Sequence, residues 1–296
     1  MSLVGLVKIQ NNSIASINRS ISEALDQIDY HFDQNVQNIV IKPNMCYYWD
    51  YTTGHTTDPK FIAALIDLIR EKVSKTANIA IVESDASAMK CKYAFRVLGY
   101  EKLAQEYNVN LVNLSEEETE NIPININGNQ FDFKLPNIIK NADLKINIPK
   151  PKYMDQTIIT CALKNIFGCN PEPLKYKLHP HLNEAIVGLN LIMKFNLTIL
   201  DGLIVAGASP RKLDLIMASQ DPVAIDSAVA KIMGENPKRI KHLQLAQKAG
   251  LGNINYIPKG DNPEHFKKEF PKKTAMTKFL TSGYKTAIKI GLIKTD

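Results

Sequence analysis

Blocks in which apolar residues alternate with polar ones trade places along this chain with blocks of helical period. Residues 4–9, 38–42, 78–82, 109–114, 144–148, 197–200 and 213–218 read as strands. Residues 17–28 put Ile17, Ile21, Ala24, Leu25 and Ile28 on one helical face. Helices are also expected over 61–72, 88–98, 101–107, 182–195 and 223–233, with one more opening at Pro237. Asp58 before Pro59 and Asp221 before Pro222 each supply a capping acceptor and a first-turn proline. Residues 122–133 alternate on both sides of Asn127-Gly128, a strong hairpin signal. This order specifies an α/β architecture: a mostly parallel sheet with helices on both faces, the hairpin being an antiparallel addition. The chain divides into one domain over 1–258 and a basic tail over 259–296, with a basic amphipathic helix expected over 278–294.

The stretch 144–169 reads as the centre of the molecule. Its strand breaks at Pro149 and Pro151, and the chain is expected to restart as a helix near Asp155. One face of that helix would carry Thr157, Thr160, Cys161, Lys164 and Gly168. With Lys150 and Lys152 in the feeding loop, the unit would form one wall of a cleft for an anion. The plainer alternative is an amphipathic helix with an ordinary wet face.

Ligands of open α/β sheets bind outside the carboxyl ends of the strands. The residues following the strands are Lys42-Pro43-Asn44, Glu83-Ser84-Asp85, Lys150 and Lys152, Asp201-Gly202, and Ser219-Gln220-Asp221, and all are expected on one edge. Lysines there would hold a phosphate or carboxylate, and carboxylates would hold a divalent metal or act as acid and base. Capping alone also explains Asp58 and Asp221, and a turn before Gly202 explains Asp201. His179 and His181, two apart, read either as metal ligands or as solvated loop residues. A long loop over 43–59 carries Trp49, the only tryptophan, beside Tyr47, Tyr48 and Tyr51, and is either a binding lid or a loop packed on the body.

Composition narrows this picture. No apolar run approaches the ~20 residues of a membrane span and no leader pattern opens the chain, so a cytoplasmic location is expected. Cys46, Cys91, Cys161 and Cys169 contain no C-x-x-C spacing, which argues against an iron–sulfur cluster, a zinc ribbon or a disulfide framework. Of the net charge of +6, nine lysines and four acidic residues lie over 259–296, so the body is nearly neutral. That balance argues against nucleic acid as a partner.

The segments VIKPN, TTDP, LGY, ADLKINIPK, ALKNIFG, ILDG, ASQDPVAIDSAVAKIMG and AGLG, in that order over about 39–252, resemble the family called domain of unknown function 362. The resemblance implies the α/β fold and a site that includes Lys42, Pro43, Asn44, Thr57, Lys152, Lys164, Asn165, Gly168, His179, Asp201, Asp221 and Asp226. It implies no activity, since the family's chemistry is not established. Members of the family commonly carry Lys-Thr-His where this chain has Lys152-Tyr153-Met154, so that histidine has no counterpart here. Some members also carry a ferredoxin module, for which this chain has no cysteine spacing, so redox chemistry would require a redox partner.

The resulting expectation is an enzyme acting on an anionic small molecule. Lys42, Lys152 and Lys164 would bind it, Asn44, Thr57 and Asn165 would orient it, and Asp85, Lys164, Asp201 and Asp221 would carry the chemistry. His179 and Asp201 are the candidate metal ligands. The alternative is a non-catalytic binding or assembly protein that uses the aromatic loop and the basic tail on a membrane surface, a partner or a second copy of itself.

Overall fold

Because successive strand residues point to opposite faces, the sequence Ile39-Val40-Ile41 divides between two cores. Ile39 and Ile41 join Ile79, Ile81, Ile146 and Ile199 on one side. Val40 joins Val82, Leu200 and Met217 on the other. A sheet that is apolar on both faces must be covered on both.

The computed structural model describes residues 1–272. Its strands are β1 (Ser2–Lys8), β2 (Asn38–Pro43), β3 (Asn78–Glu83), β4 (Asn110–Asn113), β5 (Thr119–Ile126), β6 (Asn129–Pro136), β7 (Leu144–Ile148), β8 (Lys152–Met154), β9 (Ile158–Thr160), β10 (Leu197–Val205), β11 (Arg211–Ser219) and β12 (Tyr256–Gly260). The helices are α1 (Ile14–Asp26), α2 (Pro59–Lys72), α3 (Cys91–Val97), α4 (Tyr100–Tyr107), α5 (Asn137–Lys140), α6 (Ala162–Ile166), α7 (Leu182–Met193), α8 (Pro222–Ile232), α9 (Lys241–Lys248) and α10 (Pro263–Glu269). Buried residues of α1 to α4 line one face of the sheet, and those of α6 to α9 line the other. None of the helices among the described residues is long and apolar enough to cross a membrane.

Eight strands form the main sheet in the order β12-β1-β11-β10-β7-β2-β3-β4. β11 pairs antiparallel with both β1 and β10, while the other pairings are parallel. The sheet is thus mostly parallel, and β11 alone runs against the rest. The hairpin closes at Asn127-Gly128 as expected, with both residues at positive φ. It forms a separate two-stranded sheet rather than an extension of the main one, packing Phe131 and Phe133 into the core lined by α7.

Two expectations are corrected. Residues 155–161 do not begin a helix: β8 and β9 form a small antiparallel hairpin that pairs Lys152 with Thr160 and Met154 with Ile158, and α6 spans only Ala162–Ile166. The run Thr157-Ile158-Ile159-Thr160 is β-branched throughout, and its stiff side chains favour a strand over a helix. Secondly, the reversed β11 carries Ser219, Gln220 and Asp221 to the edge opposite the carboxyl ends of β2, β3 and β7. There Asp221 caps α8 through the amides of Val223 (2.8 Å) and Ala224 (2.9 Å), and it also accepts from Asn253 N (2.8 Å).

The packed body also extends past position 258. β12 crosses that point, and Phe266 and Phe270 are buried beyond it. The helix expected over 278–294 lies outside the described residues.

Candidate functional site

At the carboxyl ends of β2, β3 and β7 a set of lysines is gathered in a largely buried layer. Two of them have carboxylate partners. The Lys42 ammonium meets Glu83 Oε2 at 2.7 Å and the Pro43 carbonyl at 2.6 Å, with both side chains sealed from solvent. Gly168 packs closely on that pair: a Cβ there would stand 3.2 Å from both Glu83 Oε1 and Lys42 Cε. Lys150 donates to Asp201 Oδ1 at 3.0 Å, again with both groups buried. Asp201 also accepts from Leu203 N on Oδ1 (3.1 Å) and from Asp58 N on Oδ2 (3.0 Å). Its oxygens are therefore occupied in joining β10 to the start of α2, and its turn position is explained by these bonds. Asp58 caps α2 as its sequence context implies, accepting from Lys60 N at 2.9 Å.

Lys152 and Lys164 have no carboxylate partner among the described residues. Lys152 Nζ donates to Asn44 Oδ1 (2.7 Å) and to the His55 carbonyl (3.0 Å). Burial, opposed by nearby Cys46 and reinforced by the charges of Lys164 and Lys150, pushes its pKa down to about 8. Lys164, on α6, is half-buried and makes no hydrogen bond or ion pair among the described residues; its ammonium stands 5.8 Å from the centroid of the Phe167 ring. Burial likewise lowers its pKa. Bringing two cations together without a counter-ion is costly, and a bound anion would relieve that cost.

The loop between β2 and α2 is closed at its base and fastened to the sheet. Thr57 N donates to the Asn44 carbonyl (2.8 Å), Asn44 N donates to Thr57 Oγ1 (2.9 Å), and Thr57 Oγ1 reaches the Ile148 carbonyl (3.2 Å). The buried Tyr100 hydroxyl donates to the Thr57 carbonyl at 3.0 Å. Gly54, at φ 75°, lies so close to β10 that a Cβ would be 2.4 Å from Val205 C and Ala206 N. Only glycine fits both that conformation and that approach. The loop thus holds the His55 carbonyl against Lys152 while Tyr47, Tyr48 and Trp49 stay exposed. The His55 ring packs against Trp49 at 4.6 Å. Burial, then the charges of Lys152 and Lys150, push His55 down to about 4, so it is neutral at physiological pH.

The short helix α6 is fixed from two sides. Asn165 Nδ2 donates to Asn147 Oδ1 (2.8 Å) and the Lys42 carbonyl (3.3 Å), and Asn147 Nδ2 returns to the Ala162 carbonyl (2.9 Å). From α8, Asp226 accepts from Ala162 N (2.6 Å) and Leu163 N (3.2 Å). Burial pushes the Asp226 carboxyl up to about 7 against those bonds. His242 Nε2 lies 3.9 Å from Asp226 Oδ2, and neither ring nitrogen has a hydrogen-bond partner among the described residues.

Of the residues expected at one edge, Lys42, Asn44, Thr57, Lys152, Lys164, Asn165 and Asp201 are brought together. Asp221 is not. Asp85 lies on the flank of the site, where it accepts from Lys90 Nζ (2.7 Å) and Cys91 N (2.9 Å), while its carbonyl accepts from Lys175. Burial raises the Asp85 pKa, but those hydrogen bonds outweigh it and hold the carboxyl below its ordinary range. His179 lies on the exposed 3-10 segment Lys175–His181 and is kept below the usual histidine range by desolvation and by the charge of Lys164. No group of three or more His, Cys, Asp or Glu side chains among the described residues is arranged to hold a metal ion.

Sequence reasoning did not single out Asn147 or His242. Asn147 had a signal, being, with Lys145, a polar residue on the second face of a strand whose sheet is covered on both sides.

Comparison with known proteins places this geometry in context. The model of the family described as domain of unknown function 362 matches residues 39–231. A thylakoid-associated protein of Synechocystis sp. is 24% identical, in an alignment that covers 84% of this chain and 79% of that protein. Among solved structures, the lactate racemase apoprotein from Thermoanaerobacterium thermosaccharolyticum aligns with a TM-score of 0.47 and 14% identity, over 76% of this chain and 58% of that one. A protein from Thermotoga maritima aligns with a TM-score of 0.40 and 10% identity, over 85% and 62%. The chain thus spans less than two thirds of either solved protein, and the chemistry of each remains its own.

Proposed function

This chain belongs to the domain of unknown function 362 family, and from that premise we propose that it is an enzyme that captures an anionic small molecule between Lys152 and Lys164. The observation that carries the proposal is that these two amines share one sheet edge without a carboxylate between them, whereas Lys42 and Lys150 each have one. Two amines without a carboxylate partner match a ligand that brings its own phosphate or carboxylate. Amines shifted toward neutrality at a sheet edge are also the kind of group that moves protons at physiological pH. Asn44 and the His55 carbonyl position Lys152, while Asn165 and Asp226 hold the helix that carries Lys164.

The test is a thermal-shift and calorimetric titration with inorganic phosphate and with succinate, repeated on Lys164→Ala. Saturable binding that weakens at least tenfold in the variant supports the reading. Equal binding by both proteins, or none by either, overturns it.

A second reading, assembly on a partner or a membrane, is favoured by the exposure of Tyr47, Tyr48 and Trp49 on a fastened loop. Replacing all three with serine would abolish partner or liposome binding under this reading and leave phosphate binding intact. The cytoplasmic location is part of the proposal. The Synechocystis relative is described as thylakoid-associated, and cell fractionation distinguishes the two locations.

A further inference from the structure

A neutral primary amine has two N–H groups and one lone pair, arranged tetrahedrally with its carbon. Lys152 Nζ is given two acceptors, Asn44 Oδ1 at 2.7 Å and the His55 carbonyl at 3.0 Å. Both belong to the loop closed by the Asn44–Thr57 hydrogen bonds, so neither can follow the amine if it turns away. With the two N–H groups committed, the lone pair takes the one tetrahedral position left. The amine sits on a paired strand opposite Thr160, which limits its reach and direction. Among the described residues it has no carboxylate to hold its proton, and the neighbouring Lys150 is itself held by the buried Asp201. In its neutral form an amine so placed, buried and beside a second cation, has a lone pair that no hydrogen bond occupies, as a nucleophile requires.

We propose that Lys152 is a carbonyl-reactive amine and that the site takes small 2-oxo acids, their carboxylate at Lys164 and their carbonyl carbon at Lys152 Nζ. This rests on the reading of the site as an anion site and adds to it the reactive group of the ligand. The lone pair of Nζ adds to the carbonyl carbon and the C–O π bond breaks. One N–H proton passes to the oxygen, giving a carbinolamine. Loss of the second N–H proton together with the hydroxyl releases one water and leaves the C=N bond of an imine. No oxidant, reductant or metal enters the balance.

The depressed pKa supports the geometry. At pH 7.5 an amine that titrates near 8 is about one quarter neutral, whereas an ordinary exposed lysine is about one thousandth neutral.

The experiment incubates the full chain at pH 7.5 with pyruvate and cyanoborohydride, followed by intact-mass measurement and peptide mapping. Acetone, which has the carbonyl without the carboxylate, is run in parallel. The expected result is one reduced adduct, on Lys152, formed more than tenfold faster than on exposed lysines such as Lys90, with pyruvate far ahead of acetone. Lys164→Ala should remove the preference for pyruvate, and Lys152→Arg should remove the adduct. The wild-type peptide map decides on its own should Lys152→Arg fail to fold. Adducts spread evenly over surface lysines, or none at all, overturn the inference. If phosphate still binds in a Lys164-dependent way, the anion site stands without the imine. If phosphate does not bind either, both fall.

Discussion

Replacing Asp201 with asparagine removes one charge with almost no change of shape, and the structure fixes what that charge does. The Lys150 ammonium it faces is 1% exposed and the carboxylate is fully buried. The asparagine would leave that ammonium in the interior without a counter-ion and would set an amide NH2 against one of the two backbone N–H groups, of Asp58 and Leu203, that the carboxylate now accepts from. Breaking a buried ion pair from one side costs about 3–5 kcal/mol. In a chain of this length each kcal/mol lowers Tm by about 2–4 °C, so a fall of roughly 6–20 °C is expected. Circular dichroism during heating is the assay, and the informative control is Lys150→Met on top of Asp201→Asn. With the stranded ammonium gone, the remaining cost is one orphaned amide, on the order of 1–3 kcal/mol, so the double variant should be more stable than Asp201→Asn alone. A single variant that keeps its Tm while losing ligand binding would refute the structural role and return Asp201 to the chemistry. A double variant no better than the single would show that the cost does not come from the lysine.

Lys152 ties stability to pH with a definite sign. Its folded pKa of about 8 lies below the ordinary 10.5, so between those values the unfolded chain binds a proton that the folded one does not, and stability rises with pH. Below pH 8 the full penalty of about 3 kcal/mol applies, and chemical denaturation of Lys152→Met should show a flatter curve over pH 8–10.5 than wild type. Gly54→Ala puts a methyl into the backbone of Val205 and Ala206 at positive φ. It should lower stability by about 2–4 kcal/mol and, by shifting the His55 carbonyl that accepts from Nζ, lower the pKa of Lys152 further, read as faster amine-selective labelling at pH 8. Asp226→Ala strands the amides of Ala162 and Leu163. At ~1–3 kcal/mol for each buried donor, it should destabilise the fold and weaken phosphate binding by loosening the helix that carries Lys164, with hydrogen exchange rising first at 162–166.

Local order was legible in the sequence wherever local chemistry sets it. Asp58-Pro59 begins a helix and Asn127-Gly128 turns a hairpin because the cap and the turn are short-range devices. The direction of β11 is different, since strand periodicity is the same read either way. With the strands read as 197–200 and 213–218 the connection is long enough for a parallel crossover, which needs about a dozen residues; the strands in fact extend to Val205 and from Arg211, and the five residues left between them allow only an antiparallel return. The helix expected from Asp155 failed because a spacing of three and four over so few residues was outweighed by four β-branched side chains in a row. Lysines were correctly expected at the carboxyl edge. Which of them are committed to carboxylates was not legible, because Glu83 lies 41 positions from Lys42 and Asp201 lies 51 from Lys150.

The central claim is that Lys152 and Lys164 await an anion, and it is tested most directly by calorimetric titration of phosphate at pH 8 in two buffers of different ionisation enthalpy. An arriving anion favours the charged form of Lys152, so, once the proton exchange of phosphate itself is subtracted with Lys152→Met run in parallel, binding should take up a fraction of a proton at pH 8, and that uptake should shrink toward zero at pH 6, where the amine is already charged. Binding without Lys152-dependent proton uptake at pH 8, or no binding at either pH, would contradict the account.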